Sequence, residues 1–458
     1  MISSGKLVFL TTFFALILQS LYVFANNSDE FMFVPFVLIL AGVTSFFLMH
    51  EKGQTGDDAN FQTNLFLWAF SLRLWAGMFF YGWGFSETIG DEDASGYLAA
   101  WTLAQNWYKF GLDGFLADIY AVSAVKTNVG QAFIWAIPTF IAGGPSRMIV
   151  SVFNSFAGSL LVLIIFRLTK RLFNSECARI AALLATFWPS FLLFSAGTSK
   201  EILFIFISWA ILYITLRNQK KLTIKDGVLA AFLAFVMLTI RFYAFYMMVI
   251  AICFRFITAS GKHLVRNLVL GTITIGIVIA FAASSGVFDR DYQRFEYHSL
   301  YMENWRKGVS IETKKGSGVD VYGSYESTNV AVAVAAAYFL FAPFPWEIFG
   351  GSTRNTFAVI ENIVILFILV FSIGALRSFF RKNFLLILPV LIFCALYAGF
   401  HIWAMSNVGL AWRHKQTIMP LLFMLVALSI SQSSAAWAMI IKRWGHSGRQ
   451  LAPAPPRA

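Results

Sequence analysis

An all-α polytopic membrane protein of about twelve transmembrane helices is the fold class the sequence predicts, and two observations carry that prediction. The first is composition. Of the 458 residues, 58% are hydrophobic and 17% aromatic, and the 13% that are charged are too few to cover so much apolar side chain in a soluble domain. The second is spacing. Apolar runs of about twenty residues, the length needed to cross the hydrocarbon core, recur along the chain, and many of the basic residues cluster in the short loops between them. The net charge of +12 is thus topological, positive charge facing the cytoplasm, and no nucleic-acid partner is implied. Cys177, Cys253 and Cys394 sit far apart in or beside apolar runs, with neither metal-ligand spacing nor a disulfide framework.

Residues 1–60 hold two N-terminal transmembrane helices, 7–24 and 31–49. The first is read as an uncleaved span, because no convincing cleavage site follows it. A transmembrane core occupies 61–285. It opens with a span at 65–84, which brings the chain out into a first extracytoplasmic loop at 87–130. In that loop Tyr97, Trp101, Ala104 and Tyr108 recur three or four apart, placing three rings and a small residue on one helix face suited to a membrane surface. Residues 133–141 are too short to span and contain Pro138, so they read as a second juxtamembrane helix. Spans at 148–166, 180–195 and 202–216 then alternate between basic ends (Arg167, Lys170, Arg171; Arg217, Lys220, Lys221) and the outer turn at Lys200 and Glu201. The runs 228–240 and 242–254 form an out-and-back pair whose turn carries Arg241 near the outer surface. After a span at 268–283, residues 286–355 supply a second extracytoplasmic loop and a juxtamembrane helix. Residues 356–445 hold the C-terminal transmembrane helices, with an outer turn at 406–415, and 446–458 form a cytoplasmic tail. One stretch, 51–60, is net acidic on the cytoplasmic side, and acidic residues weigh little in the orientation rule.

This topology gathers on one outer side many of the polar groups a lipid-embedded chain avoids: Asp91, Glu92 and Asp93; Lys200 and Glu201; Arg241; Arg413, His414 and Lys415. Charges at span ends are costly unless they pair, reach the interface or serve a site. Carboxylates and cations at one membrane face suit a substrate that is half lipid and half phosphate. The cations hold the phosphate and stabilise it as a leaving group, and a carboxylate takes the proton from an attacking hydroxyl.

Each of these residues has a plainer reading beside the chemical one. Asp93 is a candidate base, with Asp91 next, and either also serves as a helix N-cap. Lys200 and Glu201 form a span-end ion pair, or else Lys200 meets phosphate while Glu201 orients a cation or a metal. Arg241 interrupts an apolar run either to snorkel or to bind donor phosphate. Arg413, His414 and Lys415 break the positive-inside pattern, which argues for phosphate binding. Arg73 and Glu361 fall within spans and face protein, Arg73 in a structural pairing and Glu361 close enough to the outer end to line the site. The carboxylates are compatible with Mg²⁺ or Mn²⁺, but no spacing demands either.

Three motifs carry a family resemblance. They are Asp93-Ala-Ser-Gly-Tyr97 followed by Ala99, Ala100 and Ala104; the stretch from Pro189 to Ser199 leading into Lys200-Glu201; and Asn407-Val-Gly409 with Arg413 and Pro420. In order and placement they resemble the GT-C superfamily of integral membrane glycosyltransferases, which includes the protein mannosyltransferases and aminoarabinose transferases. The similarity runs over roughly residues 60–435, with two spans preceding the usual first one. The resemblance implies a polyprenyl-phosphate-linked sugar donor, inversion at the anomeric carbon and a catalytic Asp in the first outer loop, matched better by Asp93 than by Asp91.

The expected activity is sugar transfer to an acceptor hydroxyl, on a glycan, lipid or protein, at the extracytoplasmic face of a bacterial inner membrane, with membrane lipids as the surroundings. A lipid-linked oligosaccharide polymerase or ligase shares this geometry and leans instead on Arg290, Arg294 and His298 in the second loop. A transporter or flippase requires several ionisable groups at mid-membrane and repeat symmetry, whereas Arg73 is the one clear mid-span candidate and no repeat is visible.

Overall fold

The computed structural model describes residues 4–25, 33–50, 56–82, 94–124, 130–217, 223–257, 327–347 and 353–432, with single positions between 265 and 324. Among these residues there is no strand. The chain begins with α1 (Ser4–Ala25), α2 (Phe33–Met49) and α3 (Gly56–Gly77), the last running into a π turn at Met78–Gly82. Next come α4 (Ala94–Ala124) and α5 (Gly130–Ala142), then α6 (Arg147–Leu172), α7 (Ser175–Phe187), α8 (Pro189–Ala196) and α9 (Glu201–Leu216). The pair α10 (Ile224–Ile240) and α11 (Phe242–Ile257) is followed by α12 (Thr328–Phe341), α13 (Thr353–Trp403), α14 (Val408–Lys415) and α15 (Met419–Gln432).

Among the described residues, Arg147–Leu172 and Phe384–Trp403 are each long and apolar enough to cross a membrane. Two bent pairs, α7 with α8 at 52° and α14 with α15 at 57°, pass the same test when each is taken as one broken span. The first bend falls at Trp188-Pro189, where proline, lacking an N–H, starts a new helix rather than continuing the old one. Helix starts are fixed locally. Ser146 accepts from Ile149 N, Asn174 from Cys177 N, Thr223 from Asp226 N and Asn407 from Leu410 N.

α13 is continuous over 51 residues, where the sequence reading expects two antiparallel spans. Its side-chain contacts restore the reversal. Glu361 bonds Gln416 and Tyr397 bonds His414, so two positions that a straight helix would hold about 54 Å apart meet the same short segment. The chain therefore doubles back between them.

α6 is the central post, packed against α3, α7, α8 and α9. Arg73 is fully buried against it and donates to Ala69 O (3.0 Å) and Ala185 O (3.2 Å), tying α3 to α7. This is the structural pairing expected of it, with backbone carbonyls as the partners. It fits because residue 158 has no side chain: a Cβ there would lie 2.5 Å from Ser195 Oγ and 2.7 Å from Arg73 Nε. Gly158→Ala is consequently expected to lower stability by about 1–3 kcal/mol through overpacking. Helix propensity alone predicts a gain of about 1 kcal/mol, so the sign of the shift in detergent melting temperature decides between the two effects.

The acidic stretch at the start of α3 has a partner as well. Asp58 pairs with Lys170 and lies 4.0 Å from Arg179, neutralising part of the basic cluster at that end of the bundle.

Candidate active site

The polar groups of interest collect at the other end, around the N-terminus of α9. Asn154, buried on α6, sets the approach. It accepts from Trp135 Nε1 of α5 (3.1 Å) and donates to Gly197 O (2.9 Å) and Ser199 O (3.1 Å). One amide thus pins the short loop that delivers Lys200 and Glu201, and Ser199 Oγ accepts from Glu201 N (3.3 Å).

Arg241 enters from the α10–α11 break, where its backbone is extended (φ −147°, ψ 91°). Its side chain is 4% exposed and forms an ion pair with Glu201, which is fully buried. The same guanidinium donates to Tyr243 Oη (3.0 Å), Tyr397 Oη (2.9 Å) and His414 Nδ1, and lies over the Phe204 ring at 4.8 Å. Glu201 uses one carboxylate oxygen in the pair, and its Oε2, like Arg241 Nε, has no protein partner among the described residues. Because Nδ1 of His414 accepts, the proton of the neutral ring is assigned to Nε2, which leaves a donor on the far side. The ring stacks on His401 at 3.8 Å and 17°, and Tyr243 Oη lies 3.4 Å from His401 Nε2.

Of the predicted site residues, the fold joins Lys200, Glu201, Arg241, Arg413 and His414. Lys200 and Arg413 are half-buried, and with Arg241 both act electrostatically on His414. Lys415 departs from that set. Its ammonium donates to Leu340 O (3.3 Å), Ala342 O (3.0 Å) and Asn362 Oδ1, so its three protons are directed at α12 and α13. Glu361 likewise faces inward. It accepts from Ser190 N (3.0 Å), Ser190 Oγ and Gln416 Nε2 (2.6 Å), capping the start of α8.

Asp91, Glu92, Asp93, Arg290, Arg294 and His298 lie outside the described residues. Among those described, no three His, Cys, Asp or Glu side chains gather as a metal set.

The start of α4 is anchored beside this cluster. A Cβ on Gly96 would meet Trp135 Cζ3 at 2.7 Å and Gln131 Nε2 at 3.0 Å, and Gly130 of α5 is packed equally hard on Thr239, two residues before Arg241. The face of α4 that includes Ala100, Ala104 and Trp107 is the buried one, and Gly111, with φ +57°, breaks the helix beyond it.

Sequence reasoning missed Tyr243, Tyr397, His401 and Asn154. The available signal was spacing: Tyr397 and His401 stand one turn apart in an apolar span, and Asn154 interrupts another.

Residues 126–285, which include Asn154, Lys200, Glu201 and Arg241, match the dolichyl-phosphate-mannose-protein mannosyltransferase family. No curated protein matches the chain closely in sequence. Among solved structures, it is similar to the archaeal oligosaccharyltransferase AglB from Archaeoglobus fulgidus, in complex with an inhibitory peptide and a dolichol-phosphate. The identity is 13% and the TM-score 0.47, with 86% of this chain covered, and the chain spans 52% of that protein's length. The matched core runs from α5 through α11, so it supplies the Arg241–Glu201 half of the cluster, and α13 and α14 close over it.

Proposed function

We propose that the protein transfers a sugar from a polyprenyl-phosphate-linked donor to an acceptor hydroxyl, with inversion, at the extracytoplasmic face of a bacterial inner membrane. About twelve spans would carry the site, in keeping with the apolar periodicity of the chain. The observation that carries this reading is the convergence of Lys200, Arg241, Arg413 and His414 from three separate regions on one end of the bundle. Glu201 offsets one of these charges, and a lipid phosphate is an anion that reaches this depth. The matching family, by its name, uses a sugar carried on a dolichyl phosphate, which is the same donor chemistry.

In the proposed reaction Lys200, Arg413 and the Nε2–H of His414 hold the donor phosphate. Arg241 stands behind them, orienting His414 and adding its charge. Asp93 takes the proton of the acceptor hydroxyl as its oxygen attacks the anomeric carbon, with Asp91 the alternative base. The bond between that carbon and the phosphate oxygen breaks, and the lipid phosphate leaves with the electron pair against the cations. A divalent ion, Mg²⁺ or Mn²⁺, would have to draw on Asp91, Asp93 or Glu201, and no step above requires it.

The test is transfer from a polyprenyl-phosphate sugar by the purified protein in lipid. Lys200→Ala and Arg413→Ala are each expected to lower kcat/KM by about 10- to 100-fold, the worth of a charge-assisted hydrogen bond. Lys415→Met is expected to act on stability and leave the donor KM unchanged. Transfer unaffected by the first two substitutions overturns the assignment.

A further inference from the structure

Away from the Arg241 cluster, a cavity of about 440 Å³, open on one side, lies between α2, α6 and α9. On α6 its lining falls at Leu160, Leu163, Ile164 and Arg167, which is one helix face over two turns; on α9 it takes Phe206 and Tyr213, and on α2 it ends at His50. The lining is mostly leucine, isoleucine and phenylalanine, and Arg167, His50 and Tyr213 are its members nearest the C-terminal ends of α6, α2 and α9. Arg167 is half-buried and uses its Nε on Gln62 Oε1 (2.7 Å), which holds the guanidinium in place.

The depth of this groove fixes its surroundings. Asn154 lies at the candidate active site, and Arg167 is thirteen residues further along the same helix, about 20 Å away along its axis. Glu201 and Tyr213 are separated along α9 by nearly the same length. In a hydrocarbon core about 30 Å thick the groove therefore belongs to the opposite leaflet, at headgroup level. Lys170 and Arg171 extend the positive charge one turn beyond it, and His50 ends α2 at the same height.

We propose that this groove holds one anionic phospholipid of that leaflet, its phosphate on Arg167 and one acyl chain along the Leu160–Ile164 face. One feature selects this occupant: a cation at one end of a mostly apolar slot matches a phosphate above a hydrocarbon chain. The site uses α2, a helix that precedes the family-matched core, so it gives the N-terminal helix pair a lipid-mediated contact with α6. It does not depend on the proposed transferase reaction.

The experiment uses the full chain, with phosphatidylglycerol and phosphatidylcholine nanodiscs and polyprenyl phosphate as probes. Phosphatidylglycerol is expected to survive delipidation at one molecule per chain in native mass spectrometry and to raise the melting temperature, with phosphatidylcholine doing neither. Arg167→Gln is expected to lower its retention about fivefold, the effect of one basic side chain at an anionic surface. Because Arg167→Gln also alters the contact with Gln62, Thr44→Trp serves as the second variant, filling the slot from a half-buried position on α2 and expelling the lipid while the guanidinium remains. Equal retention of both phospholipids, retention unchanged in both variants, or preferential uptake of polyprenyl phosphate at this groove overturns the proposal. Loss of donor turnover in Lys200→Ala with lipid retention intact separates this site from the catalytic reading.

Discussion

Glu201→Gln is expected to abolish activity and lower stability by about 3–5 kcal/mol, the usual result of removing one member of a buried ion pair. The magnitude follows from burial. Glu201 is fully buried and the Arg241 side chain 4% exposed, so neither charge reaches water to compensate when the other is lost. The informative variant is the double replacement, Glu201→Gln with Arg241→Met. Removing both charges should return most of the stability, because the desolvation cost of the pair disappears together with its attraction. Activity should stay lost, because Arg241 also donates to Tyr243, Tyr397 and His414 and so holds the ring that stacks on His401. A double variant that recovers stability and turnover together would reduce the pair to an ordinary span-end salt bridge. Melting temperature and transfer rate, measured on the single and double variants, give the cycle directly.

The sequence carried the break at Arg241 because one arginine between two apolar runs has few inexpensive explanations, and α10 and α11 meet there. It carried the short, proline-containing α5 for an equally local reason, but read 180–195 as one span where α7 and α8 meet at a bend. What it could not carry was partnership. Glu201 and Arg241 are 40 residues apart, and Arg241 and His414 are 173 apart, so nothing in a local window pairs them. Tyr397 and His401 read as part of an apolar span, and the turn between α13 and α14 brings them to His414. Lys415 shows the same limit from the other side. As one of three consecutive basic residues it looks equivalent to Arg413, yet a helix turns successive side chains by about 100°, so it faces α12 and α13 while its neighbours face the cluster. Spacing fixes which residues share a face; packing decides what that face meets.

Asp93→Asn is expected to reduce kcat by about 10²- to 10⁴-fold while leaving expression, melting temperature and donor KM near those of the parent. The amide keeps the size and the helix-capping capacity of the carboxylate and loses the capacity to accept a proton, so a capping role survives the change and a base role does not. Gly96, three residues on, is packed against Gln131 and Trp135. Asp91→Asn provides the comparison, with a smaller loss expected if Asp93 is the base and a larger one if the roles are exchanged. Arg290→Ala and Arg294→Ala complete the set. Under the transferase reading they leave single-sugar transfer intact, whereas a polymerase or ligase of lipid-linked oligosaccharides would lose activity with these arginines and tolerate Asp93→Asn. Full turnover in Asp93→Asn would leave the cluster at Arg241 as an anion-binding site and remove the first outer loop from the chemistry.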